Sequence, residues 1–320
     1  MKVMLPALQT IEAAAEVVYR VLSPTPQIAW PLLAVRLGCE VWVKHENHTP
    51  IGAFKVRGGL TYFEHLRREG LPAGVISATR GNHGQSIGFA ARRHGIPATI
   101  VVPHGNSREK NAAMCALGVE LIEHGEDFQA AREHAIALAE LRGLLMVPSF
   151  HPWLIDGVAT YALEFLRGVP SLDVVYVPIG LGSGICGMIA VRDALNSTSE
   201  IVGVVAAGAP AYALSMAAGA CVAHPVTTTL GDGMACRVPD PAALEILRRG
   251  VTRLVTVTDD ELAAAMCILF EDTHNTAEGA GAAALAGALQ ERSRLAGKRV
   301  GIVLSGGNVD RDVFARVLST

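Results

Sequence analysis

"VPIGLGSGICG", residues 177–187, runs from an apolar strand through Gly180, Leu181, Gly182, Ser183 and Gly184 into a helical stretch. Glycines let a backbone approach an anion closely, and a helix start adds free N–H groups and a favourable dipole. The stretch is not a Walker loop, because no Gly-Lys-Ser/Thr follows. Gly182, Gly184 and Gly187 formally fit a dinucleotide spacing, and a plain tight turn explains the same letters. What the stretch does decide is the class. A buried strand handing on to a helix through a short glycine turn is the repeating unit of a parallel α/β sheet.

Outward from it, the same unit recurs. Strands are expected at 40–44, 74–78, 98–102, 119–123, 173–179, 201–207, 253–258 and 299–305. Between most of them lie helical patterns, at 59–69, 84–94, 107–117, 127–142, 157–167 and 259–272. Apolar runs separated by helices predict open, twisted, mostly parallel sheets flanked by helices, arranged as two α/β lobes. Gly70, Gly95 and Gly118 stand where helix C′ residues belong. No fixed-period repeat or low-complexity segment interrupts the pattern.

Composition narrows the partners. Half of the 320 residues are hydrophobic, 18% are charged and the net charge is −3, which gives no basic footprint for nucleic acid. The start of the chain lacks the long apolar centre of a signal peptide. The uncharged segment 201–223 is rich in Ala and Gly and carries Pro210. It reads as a buried strand, a turn and a buried helix rather than a membrane span. Six cysteines, at 39, 115, 186, 221, 236 and 267, show no metal-ligand spacing, and they read as thiols in a reducing cytoplasm. A small molecule and further copies of the chain are the expected partners.

Five lysines occur, at 2, 44, 55, 110 and 298. Lys55 sits in "IGAFKVRGG" (51–59), among apolar residues and glycines that would lower its pKa and leave a nucleophilic amine. Lys110 falls in the polar helix start "NSREKN", and Lys44 closes a strand among charged neighbours. A surface lysine opening a helix is the plainer account of Lys55 alone. Two further loops follow strands. "SATRGNHGQS" (77–86) offers Thr79, Arg80, Gly81, Asn82 and His83 to a carboxylate, and "LSGGNVD" (304–310) offers Ser305. An amine, a phosphate cradle, a carboxylate loop and a hydroxyl together are what pyridoxal 5′-phosphate and an amino acid require.

With these motifs the chain resembles the fold-type-II pyridoxal-phosphate enzymes, and within them the threonine/serine dehydratases and serine racemases. "ENHTPIGAFKVRGG" is similar to that family's lysine motif, "RGNHGQ" to its asparagine loop, "GLGSG" to its tetraglycine loop and "LSGGN" to its serine motif. The resemblance implies Lys55 as the Schiff-base lysine with Phe54 flanking the ring, and Asn82 on the ring hydroxyl. It implies Gly180, Leu181, Gly182, Ser183 and Gly184 on the phosphate, Ser305 facing the pyridine nitrogen and Glu278 near the cofactor. Thr79 to His83 would take the substrate carboxylate. It also implies a large domain from 1–56 and 146–320, a small mobile domain at 57–145, and a homodimer or homotetramer in the cytoplasm.

The activity so implied is loss of water and ammonia from a β-hydroxy amino acid such as L-threonine or L-serine, giving a 2-oxo acid. Bulkier substrates (phenylserine, hydroxyaspartate or a hydroxyectoine derivative), serine racemisation, β-replacement and a non-catalytic regulator are the alternatives. His48, Thr49, Ile51 and Ala53 depart from the family's lysine motif, and Leu181 and Ser183 from its glycine loop. The regulatory domain of biosynthetic threonine dehydratases has no counterpart, so feedback inhibition through it is not expected. In the racemases a serine two residues before the Asn works on the face opposite the lysine; here that position is Arg80. The segment matching their divalent-cation site, 203–215, holds no Asp or Glu, so no metal is expected. His45 and His48 read as strand-end surface histidines or as residues lining the site.

Overall fold

A computed structural model describes residues 5–169 and 171–319. Among the described residues, ten strands form two sheets. β1 (Gln27–Ala29), β2 (Glu40–His45), β7 (Val174–Pro178), β8 (Glu200–Ala206), β9 (Arg253–Val257) and β10 (Arg299–Leu304) make one, in the order β1-β2-β10-β7-β8-β9. β3 (Val75–Ala78), β4 (Ala98–Val102), β5 (Glu120–Glu123) and β6 (Leu145–Met146) make the other, in the order β5-β4-β3-β6. Every pairing is parallel except β1 with β2. β3 and β4 are buried along their whole length, and β8 and β10 at all but their first residue, as strands covered by helices on both faces must be.

All eight expected strands are present. β1 and β6 were not expected, being only three and two residues long. The segment after β8 folds into the helix Ala211–Ala218, but only Ala211, Tyr212 and Ser215 of it are buried. It packs by one face, not all round as its composition suggested.

The order β2-β10-β7 places three strand ends side by side, and this gathers the site. The loop after β2 is stitched to the loop after β10. Phe54 N donates to Ser305 O at 3.1 Å and Gly307 N to Gly52 O at 2.9 Å. The helix Lys55–Glu69 then crosses the helix Pro152–Gly168 so closely that a Cβ on Gly157 would collide with the Arg57 carbonyl oxygen. Gly58 and Gly59, just after Lys55, serve helix contact in the same way: a Cβ on Gly58 would sit 2.8 Å from Leu154 O and one on Gly59 2.8 Å from Ser86 O. Beneath lies a buried charge network. Arg57 donates to Glu46, Glu164 and Thr160, and Lys44 to Glu164 and the Thr25 carbonyl, with Arg57, Lys44 and Glu46 fully shielded from solvent.

Candidate active site

One cavity lies where the ends of β2, β10 and β7 face the end of β3 across the two sheets. Phe54, Lys55, Thr79, Arg80, Gly81, Asn82, His83, Gly180, Leu181, Gly182, Ser183, Gly184, Glu278 and Ser305 all line it. Lys55 opens its helix, half-buried, with Nζ 5.1 Å from the Phe54 ring centroid and 3.1 Å from Ser183 Oγ. Burial without a carboxylate partner pushes its ammonium down to about 8.

The glycine turn is arranged to offer amides. Gly182 caps the helix Ser183–Ala194 at φ +104°, and no side chain caps that helix start. The carbonyls are turned away and engaged. Tyr161 donates to Gly184 O and Tyr212 to Leu181 O, both at 2.9 Å, and Cys186 N donates to Gly182 O. The N–H groups of the first turn are left for an anion.

On the opposite wall, β3 runs into Thr79, whose Oγ1 accepts from Gly81 N at 2.9 Å and Gly84 N at 3.3 Å, so this hydroxyl shapes the loop. Arg80 lines the cavity, and its Nε is buried without a partner. His83 is 6% exposed, its Nε2 has no partner, and burial plus the nearby Lys55 charge push it down to about 3. Asn82 donates Nδ2 to Glu278 Oε1 at 2.6 Å and accepts from Asn308 Nδ2 at 2.8 Å. Ser305, 7% exposed, is bonded only weakly, at 3.4 Å, to Ala280 O.

Three sequence readings are corrected. Lys110 is not part of a solvated helix start: it is 5% exposed, lines the cavity and donates to Glu278 and Asp232. Lys44 is also buried, so burial alone does not distinguish Lys55; the lack of an acidic partner does. His45 is a buried residue accepting from Trp30 Nε1 at 2.9 Å, and His48 is exposed and bonded to Asn275; neither lines the cavity. Lys110, Ser149 and Asp232, which line the cavity, and Asn308, which bonds Asn82, were polar residues missed. Their partners are distant in sequence, and only the polar glycine turn around Asn308 gave a local signal.

The site fits pyridoxal phosphate on its own donors. It combines an amine free of acid partners, an amide-lined turn with its carbonyls turned away, and a neutral hydroxyl at a buried strand end. Comparison agrees. Residues 18–306 match the family described as pyridoxal-phosphate dependent enzyme. The chain is 33% identical to an L-threonine ammonia-lyase of Thermotoga maritima, over 98% of this chain and 78% of that one. It is also 33% identical to an L-threo-3-hydroxyaspartate ammonia-lyase of Saccharomyces cerevisiae, over 93% of this chain and 92% of that one. Maize serine racemase superposes with a TM-score of 0.90 at 27% identity, covering 99% of this chain and 98% of that one. With cofactor site, fold and sequence in agreement, the chain belongs to the pyridoxal-phosphate dependent enzymes, in the fold-type-II branch of the threonine and serine dehydratases.

Proposed function

We propose that this enzyme is an ammonia-lyase that converts a β-hydroxy amino acid of the L-threonine or L-serine type to a 2-oxo acid and ammonia. The observation that carries the reading is Lys55. Among the described residues it is the one cavity-lining lysine with no carboxylate partner, and burial holds its pKa near 8. The neutral amine, able to act as a base, is therefore far more populated near neutral pH than in an ordinary lysine.

Each wall of the cavity has a part in this reading. The turn Gly180–Gly184 would hold the cofactor phosphate on its amides, Phe54 would pack beside the ring, Asn82 would donate to the ring hydroxyl and Ser305 would face the ring nitrogen. Glu278 steadies Asn82. When bound, pyridoxal phosphate supplies the electron-withdrawing system that makes the substrate's α-C–H bond acidic. Lys55 Nζ takes that proton. Loss of the β-hydroxyl as water leaves an enamine, which hydrolyses to the 2-oxo acid and ammonia. Arg80 and the start of the helix Asn82–Arg93 hold the substrate carboxylate, and His83, neutral at working pH, closes that side without adding charge. An arginine cannot return a proton to the opposite face, which disfavours racemisation.

The unpartnered Arg80 guanidinium favours a second reading, an acidic β-hydroxy amino acid, as in the name of the yeast relative. A panel of L-threonine, L-serine, phenylserine and threo-3-hydroxyaspartate, assayed for ammonia and 2-oxo acid, ranks the two. D-serine formed as fast as pyruvate would displace both.

The same reading places the enzyme in the cytoplasm as a homodimer or homotetramer. Its six cysteines are free, and no helix of the described residues is long and apolar enough to cross a membrane. Ile28 on the edge strand β1 and the neighbouring Leu32 and Val35 are exposed apolar residues suited to self-association. We treat residues 57–145, which hold most of the four-stranded sheet, as the unit that closes over the substrate. β6 extends that sheet one residue further, to Met146.

A further inference from the structure

The helix Arg108–Ala116 belongs to the four-stranded unit, yet its start is fastened to the other. Asp310, in the loop after β10, accepts from Ser107 Oγ at 2.5 Å and from Arg108 N and Glu109 N at 3.2 Å each. From this anchored start the Lys110 side chain crosses into the cavity. Its path lies where Gly81 has no side chain; a Cβ there would collide with Lys110 Cδ. Lys110 Nζ then donates to Asp232 Oδ2 at 2.7 Å and to Glu278 Oε2 at 2.8 Å. The other oxygen of Glu278 accepts from Asn82 Nδ2, and Asn82 Oδ1 accepts from Asn308. An amide with its oxygen and one N–H engaged has a single N–H left, and Asn82 lines the cavity.

We propose that Lys110 is a positioning residue: bridging the two sheets, it holds the Glu278 carboxylate on Asn82, so that the remaining Asn82 N–H is aimed at the cofactor only when the two units are drawn together. The proposal rests on the reading of Asn82 as a cofactor contact. A mere filler would not need charge here. Glu278 is 2% exposed and shares Lys110 with a second carboxylate, Asp232. Without the ammonium, two carboxylates would face each other in a desolvated place, and Glu278, already raised by burial, would take up a proton. A protonated Glu278 carries a hydrogen of its own and no longer has to orient Asn82 through its amide.

The test compares Lys110→Met, Lys110→Arg, Glu278→Gln, Lys110→Met/Glu278→Gln and Asn82→Ala in the holoenzyme, by pyridoxal phosphate Kd and by kcat and KM for the best substrate. Lys110→Met is expected to weaken cofactor binding by about tenfold and to lower kcat more than it raises KM. Lys110→Arg should recover most of both. The double variant should match Glu278→Gln within about twofold, because Lys110 acts through that carboxylate. Losses that multiply in the double variant would overturn the proposal. So would a Lys110→Met enzyme with unchanged Kd and kcat beside an impaired Asn82→Ala. Should Asn82→Ala itself bind the cofactor normally, the Asn82 contact is wrong and the proposal falls with it.

Discussion

Lys55 Nζ lies 3.1 Å from Ser183 Oγ, so the amine that opens one helix points at the first residue of another. The two residues are 128 apart in the chain. They meet because β2 and β7 flank β10 in one sheet, and each hands its chain to a helix at the same edge. The amine and the free amides of the glycine turn therefore share one cavity, which is the arrangement a phosphate-bearing aldehyde needs.

Gly182→Ala should lower cofactor affinity by about tenfold. An alanine at φ +104° is strained by about 1–2 kcal/mol, and its Cβ would sit 2.8 Å from Ala243 Cβ. A pyridoxal phosphate titration followed by absorbance measures the loss. Unchanged affinity would remove the turn from the phosphate site.

Arg80→Ser should act mainly on KM. The guanidinium is unpartnered and cavity-facing, so its loss removes a charge-assisted contact worth about 1.5–3 kcal/mol, or roughly ten- to a hundredfold. If the second carboxylate of an acidic substrate is what it grips, the loss falls chiefly on hydroxyaspartate. If it is the α-carboxylate, threonine and serine suffer equally. No change with any of them would remove Arg80 from substrate binding.

Acid should weaken the fold below about pH 6.5. Burial pushes His45 down from 6.5 to about 4, so the unfolded chain takes a proton as pH falls through 6.5 while the folded chain resists until about 4. Stability is present above pH 6.5 and declines between those values, by roughly 3 kcal/mol from this residue. His83 adds a second loss of the same sign, continuing to about 3. Urea midpoints between pH 7 and 5 should fall, and His45→Gln, which keeps an acceptor for Trp30, should flatten part of the slope.

Arg57→Met should destabilise by about 3–5 kcal/mol, since it leaves Glu46 without its guanidinium and Glu164 with Lys44 alone, all of them buried. Because Arg57 is two residues from Lys55, cofactor binding should weaken as well. Denaturant titration of apoenzyme and holoenzyme separates the two effects.

The strands were legible because parallel strands buried on both faces are written as unbroken apolar runs, as in "ATIVV" and "RVGIVL". The helix Gly279–Gln290 was harder, because a helix of Ala, Gly and Leu buried all round has no polar face to set its period. The site loops could be read where their chemistry is local, as in the glycine turn and the Asn82 loop. Lys110 could not. Its local neighbours are polar, and the carboxylates that bury it lie 122 and 168 residues away. Arg57 and Lys44 were obscured for the same reason, both being neutralised by Glu164 from a helix more than a hundred residues on.

Lys110 also supplies the sharpest control for the account as a whole, because two lysines line the same cavity and only one is free of carboxylates. Borohydride reduction of the holoenzyme, followed by peptide mapping, identifies the lysine bonded to the cofactor. A single pyridoxyl label on Lys55, absent from Lys55→Ala, is the expected result. A label on Lys110, or on Lys44, would contradict it.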